Sequence, residues 1–322
     1  MKNRSPRAIR KPLLAAFALS LALLGAPGAP ARASDAAPAV KILFVGNSFV
    51  HGAFEPVLSY NTNGVTDENA GLPASDPRSE NRGGKASGPW GGIAAIFKRL
   101  TQEAGLNYDV HVELASGMPL RFHYEHALSV IEQPQWNVVV LQELSTGPVL
   151  ETKTGSPADF ARYTALLEQA VHRANPAARV LLYETFPRAD LTYPPGSPYA
   201  GKSIEVMGEA LHAAYYREAQ TEGHLAGVVP VGDAWLRAIR EGAGEANPYA
   251  PKAGKLDLWN VDNYHPSKWG AYLNACVFFE RLTNRDARTL GPNERAAADL
   301  GISPVQAQTL QRIAHETVDA AP

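Results

Sequence analysis

Cysteine is almost absent: Cys276 is the only one in 322 residues. A single thiol cannot close an intramolecular disulfide, and it excludes a Cys-rich tetrahedral zinc site. Net charge is also small, −2 at neutral pH, and it is unevenly placed. The first 33 residues hold Lys2, Arg4, Arg7, Arg10, Lys11 and Arg32 and no acid; taking those six positive charges from −2 leaves −8 on the remainder. An acidic body without a basic stretch cannot neutralise phosphates, which argues against nucleic acid as a partner. No apolar run reaches the length of a membrane span. The longest, Leu13 to Leu24, has 12 residues where about 20 are needed. The Gly-x-Ser-x-Gly elbow of the common serine hydrolases occurs nowhere.

What is present begins with an address. The basic stretch Lys2 to Lys11, the apolar run and the small-x-small triplet Ala31-Arg32-Ala33 follow the order of a secretory signal peptide. The pattern predicts a signal peptide over 1–33, a mature chain from Ser34, and a periplasmic or secreted location with no stable membrane anchor. No cysteine follows the cleavage triplet, so a lipid anchor on that residue is excluded.

In the mature chain, short apolar runs alternate with helical patterns. Val40 to Val45, Trp136 to Leu141, Val180 to Tyr183 and Val228 to Val231 read as strands buried on both faces. Asp109 to Leu114 alternates polar and apolar, as a half-buried or edge strand does. Apolar residues at helical spacing mark Ile93 to Ala104, Phe160 to Ala174, Ile204 to Tyr215 and Trp269 to Phe279, and a last helix opens at Ser303-Pro304. Ser156 and Ser267 sit where N-caps belong. The alternation predicts a three-layer α/β/α sandwich around a central parallel sheet, as one domain over 34–322. From His51 to Pro89 the rhythm breaks into a long polar loop carrying Tyr60, Asn61, Asn63, Asp67, Asn69, Asp76 and Asn81.

In open α/β sheets, ligands bind at the carboxyl ends of the strands. The residues there are Gly46-Asn47-Ser48-Phe49, Ala115-Ser116-Gly117-Met118 and Gln142-Glu143-Leu144-Ser145, and Asp262-Asn263-Tyr264-His265 precedes a sheet-packing helix. A serine hydroxyl needs a base to become nucleophilic. Histidine is that base, and a carboxylate fixes its tautomer and steadies the imidazolium. The tetrahedral intermediate then needs preorganised N–H donors.

These blocks resemble those of the SGNH hydrolases, also called GDSL-type esterases and lipases. The resemblance runs from about Val40 to Leu282 and implies the flavodoxin-like SGNH fold. It implies Ser48 as nucleophile, Asp262 and His265 as its partners, and an oxyanion hole from the N–H groups of Ser48 and Gly117. The family's Gly-x-Asn-Asp block is absent, and Leu141-Gln142-Glu143-Leu144-Ser145 stands in its place. Gln142 is therefore the candidate third donor, with Ser145 as the alternative. The resemblance implies no cofactor. No metal site is expected: His123 and His126 share a helical face, but no His-Glu-x-x-His pattern accompanies them. His51 reads as a residue of a solvated loop, and Cys276 as a packed thiol.

The expected function is hydrolysis of short acyl esters, most simply acetyl, on a small-molecule or carbohydrate partner. The polar loop beside Ser48 favours hydroxyl-rich ligands over lipid. The irregular third block leaves open a non-catalytic relative that binds carbohydrate in the periplasm.

Overall fold

The computed structural model describes residues 38–80 and 88–322. The expected signal peptide and Asn81 lie outside the described residues. Six strands form one sheet: β1 (Val40–Gly46), β2 (Thr66–Asp67), β3 (Tyr108–Leu114), β4 (Val138–Leu141), β5 (Arg179–Tyr183) and β6 (Val228–Val229). Every neighbouring pair is parallel, in the order β2-β3-β1-β4-β5-β6. The chain leaves β1 to build β3 on one side, then crosses over to β4 on the other. This reversal opens a crevice at the carboxyl end of β1, where Ser48 follows.

The helices are α1 (Ser48–His51), α2 (Gly92–Glu103), α3 (Leu120–His126), α4 (Leu128–Ile131), α5 (Pro157–Ala174), α6 (Ile204–Thr221), α7 (Val231–Arg240), α8 (Lys268–Thr283), α9 (Arg295–Asp299) and α10 (Pro304–Ala320). Strand side chains alternate between two cores. Ile42, Phe44, Val138, Val140, Leu181 and Tyr183 pack with α2, α7, α8 and α10. Leu43, Val45, Val139, Leu141, Val180 and Leu182 pack with α3, α4, α5 and α6. Covering both faces is why the buried positions of these strands are apolar. Trp235 stacks on Phe186 with centroids 3.9 Å apart, and truncating so large a buried ring costs about 3–5 kcal/mol. The expected caps form as well. The Ser156 hydroxyl accepts the Asp159 N–H at 3.0 Å, and Ser303 closes a capping box with Gln306. Cys276 is fully buried on α8, and burial pushes its thiol well above its ordinary pKa.

Three elements depart from the expectations. β3 is not an edge strand, because β2, supplied by the long loop, pairs outside it. Two of its polar positions are paired rather than solvated: His111 bonds Glu68 at 2.6 Å, and Glu113, fully buried, bonds His123 and Asn69. Alternation marked two different environments, one apolar and one polar but covered. The run Val228 to Val231 is divided, with Val231 opening α7. Pro230 has no N–H for a sheet ladder, and Ala234, Trp235, Ala238 and Ile239 carry a helical spacing. The long loop, finally, is strapped to the domain where it is described. Gly91 and Gly92 donate to the carbonyls of Leu58 and Val57 at 3.0 and 3.1 Å. Only glycine fits at 91, since a Cβ there would lie 1.9 Å from the Tyr60 carbonyl oxygen.

Candidate active site

The site starts at the end of β1. Asn47 has extended backbone geometry and caps the single turn α1, its Oδ1 accepting the Phe49 N–H at 3.1 Å. Its Nδ2 donates to the Met118 carbonyl at 2.9 Å, and its N–H donates to Gln142 Oε1 at 2.9 Å. One residue thus joins the strand ends after β1, β3 and β4. An aspartate there could accept from Phe49 but could not donate to Met118, which gives the amide a reason. Ser48 opens α1, so its N–H has no intrahelical partner.

Asp262 and His265 lie in the loop before α8. Asn263 takes a left-handed conformation, φ 56°, which folds the loop back on itself. Asp262 Oδ1 then accepts the N–H groups of Tyr264 and His265 at 3.1 and 3.0 Å. Asp262 Oδ2 lies 2.6 Å from His265 Nδ1, and His265 Nε2 lies 2.9 Å from Ser48 Oγ. Burial opposes ionisation of Asp262, but the bonds from the His265 ring and the two N–H groups outweigh it. They hold the carboxyl below its ordinary range. The imidazole is further confined by Tyr264, with centroids 4.0 Å apart, and by the edges of Phe49 and Phe54.

A cavity of about 510 Å³ opens above Ser48, lined among others by His51, Leu58, Trp90, Gly117 and Tyr264. Gly117 occupies the third position of a tight turn closed by the Met118 N–H on the Ala115 carbonyl at 3.1 Å. Its φ of 71° is the left-handed value this turn requires. Gly117 is thus both a turn glycine and a wall of the cavity.

The structure brings Ser48, His265, Asp262 and Gly117 together, but not Gln142. The Gln142 side chain is fully buried below the site, with Oε1 on the Asn47 N–H and Nε2 donating to the Glu143 carbonyl. It does not line the cavity. Side-chain length explains this: one methylene more than asparagine carries the amide back under the β1 turn, against Gly46, where a Cβ would lie 2.5 Å from Gln142 Oε1. Ser145 is turned away as well, its hydroxyl accepting from Arg188 at 3.2 Å. That guanidinium packs over the Tyr264 ring at 3.7 Å.

Two neighbours of the expected residues take their place beside Ser48. His51 is not solvated; it is buried, stacked on Trp90 with centroids 5.0 Å apart. Burial, and then the nearby His265 ring, push its pKa down to about 3, so it is neutral near pH 7. Its Nδ1 accepts the Ala53 N–H at 3.2 Å, which places the proton on Nε2, 2.8 Å from Ser116 Oγ. The Ser116 hydroxyl accepts that proton and keeps its own for another acceptor, while its N–H is held by Glu80. His51 is one helical turn from Ser48, and Ser116 adjoins Gly117. Those adjacencies were the only hints in the sequence.

No known family model matches the chain, and no curated protein matches it. Solved structures do. A DUF4886 family protein from Bacteroides uniformis is similar at 15% identity and a TM-score of 0.56, over 88% of this chain and 96% of its own. The two share an α/β fold, which in this chain is built around an all-parallel six-stranded sheet among the described residues. More distant are a family 3 carbohydrate esterase from Clostridium thermocellum, at 13% identity and a TM-score of 0.44 over 76% and 94% of the two chains. An acetyl xylan esterase from Geobacillus stearothermophilus stands at 15% identity and 0.45, over 75% and 94%. In this chain the serine block follows β1, the glycine block follows β3, and Asp-x-x-His precedes α8.

Proposed function

We propose that this chain is an exported serine esterase that removes short acyl groups, acetyl foremost, from a carbohydrate or similar polar alcohol. The observation that carries the reading is the unbroken line from Ser48 Oγ through His265 to Asp262, at 2.9 and 2.6 Å. His265 Nε2 takes the Ser48 proton as Oγ attacks the ester carbonyl, and Asp262 steadies the imidazolium. The N–H groups of Ser48 and Gly117 receive the developing oxyanion, and the free Ser116 hydroxyl proton serves as third donor in place of Gln142. His265 then protonates the departing alcohol. Water, activated by the same ring, releases the acid and restores Ser48. His51, neutral and engaged by Ala53 and Ser116, does not compete as base.

The walls favour a small acyl group on a polar alcohol. A cavity of about 510 Å³ with Trp90 and Tyr264 offers flat apolar faces to a sugar ring, and Glu80 offers acceptors to its hydroxyls. Among the described residues no helix is long and apolar enough to cross a membrane, and the proposed export rests on the pattern over 1–33.

The test is a series of aryl esters of increasing acyl length beside acetylated sugars, run on the wild type and on Ser48→Ala. Fastest turnover of acetyl esters, lost in the variant, is expected. Preference for long chains overturns the substrate reading, and undiminished turnover by Ser48→Ala overturns the mechanism. N-terminal sequencing of exported protein should begin at Ser34.

A further inference from the structure

A second group of titratable side chains converges beyond the carboxyl end of β5, and none of its residues lines the Ser48 cavity. Glu184 directly follows β5 and is fully buried. Its Oε2 accepts the Asp233 N–H at 3.2 Å, while its Oε1 has no partner within hydrogen-bond geometry among the described residues. Gly232 makes this placement possible, since a Cβ there would come within 3.0 Å of the Glu184 carboxyl carbon and Oε1. Asp233, in the first turn of α7, faces His212 of α6; the imidazole Nδ1 lies 3.0 Å from each Asp233 oxygen. Tyr216, one turn along α6, lies against His212 with centroids 4.3 Å apart, and its buried hydroxyl has no partner within hydrogen-bond geometry among the described residues. One ligand atom from each of Glu184, His212 and Asp233 lies within 4.8 Å of the others.

Two carboxylates and an imidazole converge here, and a divalent cation would offset the carboxylate charges and engage the buried Glu184 Oε1. We propose that Glu184, His212 and Asp233 form a site for a first-row divalent cation of the zinc type, with the Tyr216 hydroxyl beside it. One imidazole with two carboxylates is a mixed nitrogen and oxygen set, which suits zinc better than calcium or magnesium. Two atoms bound at 2.0–2.1 Å to a tetrahedral zinc ion lie roughly 3.3 Å apart, close to the His212–Asp233 separation.

Access comes from a surface cavity of about 400 Å³ lined by His212, Asp233, Arg237, Arg240 and Glu241 among others. Its arginines are already paired, Arg237 with Glu241 at 3.2 Å and Arg240 with Glu209 at 2.7 Å, which blunts their repulsion of an entering cation. A second cluster, Glu280, Asp286 and His315, lacks this character. Both Glu280 oxygens are occupied, by His315 at 2.7 Å and by the Ala287 N–H at 2.9 Å, and Asp286 is held by Arg288. The site would tie α6 and α7 to the end of β5, a structural role separate from ester hydrolysis.

The experiment is calorimetric titration of the chelator-treated full mature chain with zinc chloride, with manganese and calcium chlorides in parallel. One equivalent of zinc should bind, more tightly than the other two ions, with a raised thermal midpoint. His212→Ala and Asp233→Asn should each weaken binding at least ten-fold. Glu184→Gln, which keeps an acceptor for the Asp233 N–H, should do the same in a folded protein. Absence of saturable binding, several weak equivalents, or affinity unchanged in His212→Ala and Asp233→Asn overturns the proposal. Ester turnover is not the readout, so failure here is distinct from failure of the esterase reading.

Discussion

The Asn47 N–H donates to Gln142 Oε1 at 2.9 Å, and this bond couples the end of β4 to the turn that presents Ser48. It gives Gln142 a positioning role. Gln142→Ala should leave a buried N–H unpaired and cost about 1–3 kcal/mol of stability, with kcat falling alongside. Denaturant unfolding beside steady-state kinetics checks this. A variant with unchanged stability and a large kcat loss would return Gln142 to the oxyanion hole.

Ser116→Ala tests the replacement donor. Ser116 is exposed in the turn, so its removal should leave stability within about 0.5 kcal/mol of the wild type. It should lower kcat by roughly 10² at nearly constant KM, the mark of an interaction made only in the transition state. A rise in KM alone would assign Ser116 to substrate binding.

Replacing His265 by Ala, or Asp262 by Asn, should lower kcat for an aryl acetate by about 10³–10⁴ with circular dichroism unchanged. Activity of either variant within ten-fold of wild type would defeat the triad.

Asn47→Asp should turn a carboxylate oxygen toward the Met118 carbonyl in place of the Nδ2 donor. The expected cost is about 1–3 kcal/mol, with reduced kcat from a loosened Ser48 turn. Equal stability of the two forms, read by thermal melting at pH 7, would show that the Met118 bond contributes little.

A further effect concerns pH. His51 has a pKa of about 3 in the folded chain against 6.5 when exposed. The unfolded state therefore binds more protons between those values, and this stabilising contribution is lost as pH falls through that window. From pH 6.5 to 4 the loss is about 3 kcal/mol. Asp262, held below its ordinary range, adds a loss in the same direction at lower pH. Glu143, pushed up to about 7 by burial, works in the opposite sense as pH rises from 4.5 to 7. The measurement is therefore a comparison of slopes: stability against pH for His51→Gln should fall less steeply on acidification than for the wild type. Parallel curves would mean that His51 titrates normally.

Local pattern by itself determined the layers. Apolar runs at Ile42, Val180 and the end of the Trp136 segment can be satisfied only by burial on both faces, and Ser-Pro caps with 3.6-residue spacing leave α5 and α10 little choice. That Ser48, Asp262 and His265 converge was suggested by the order of their blocks, which is a property of sequence. The direction of a side chain is not. Whether Gln142 faced the cavity or the Asn47 N–H depended on the space under Gly46, and whether His51 was wet or dry depended on Trp90, 39 residues away in sequence. The polar stripe of β3 looked like an exposed edge because its covering strand comes from a loop with no periodicity. The meeting of Glu184, His212 and Asp233 needed one strand end and two helices to pack before three isolated residues became neighbours. Such contacts are set by packing between distant segments, which short-range spacing does not encode.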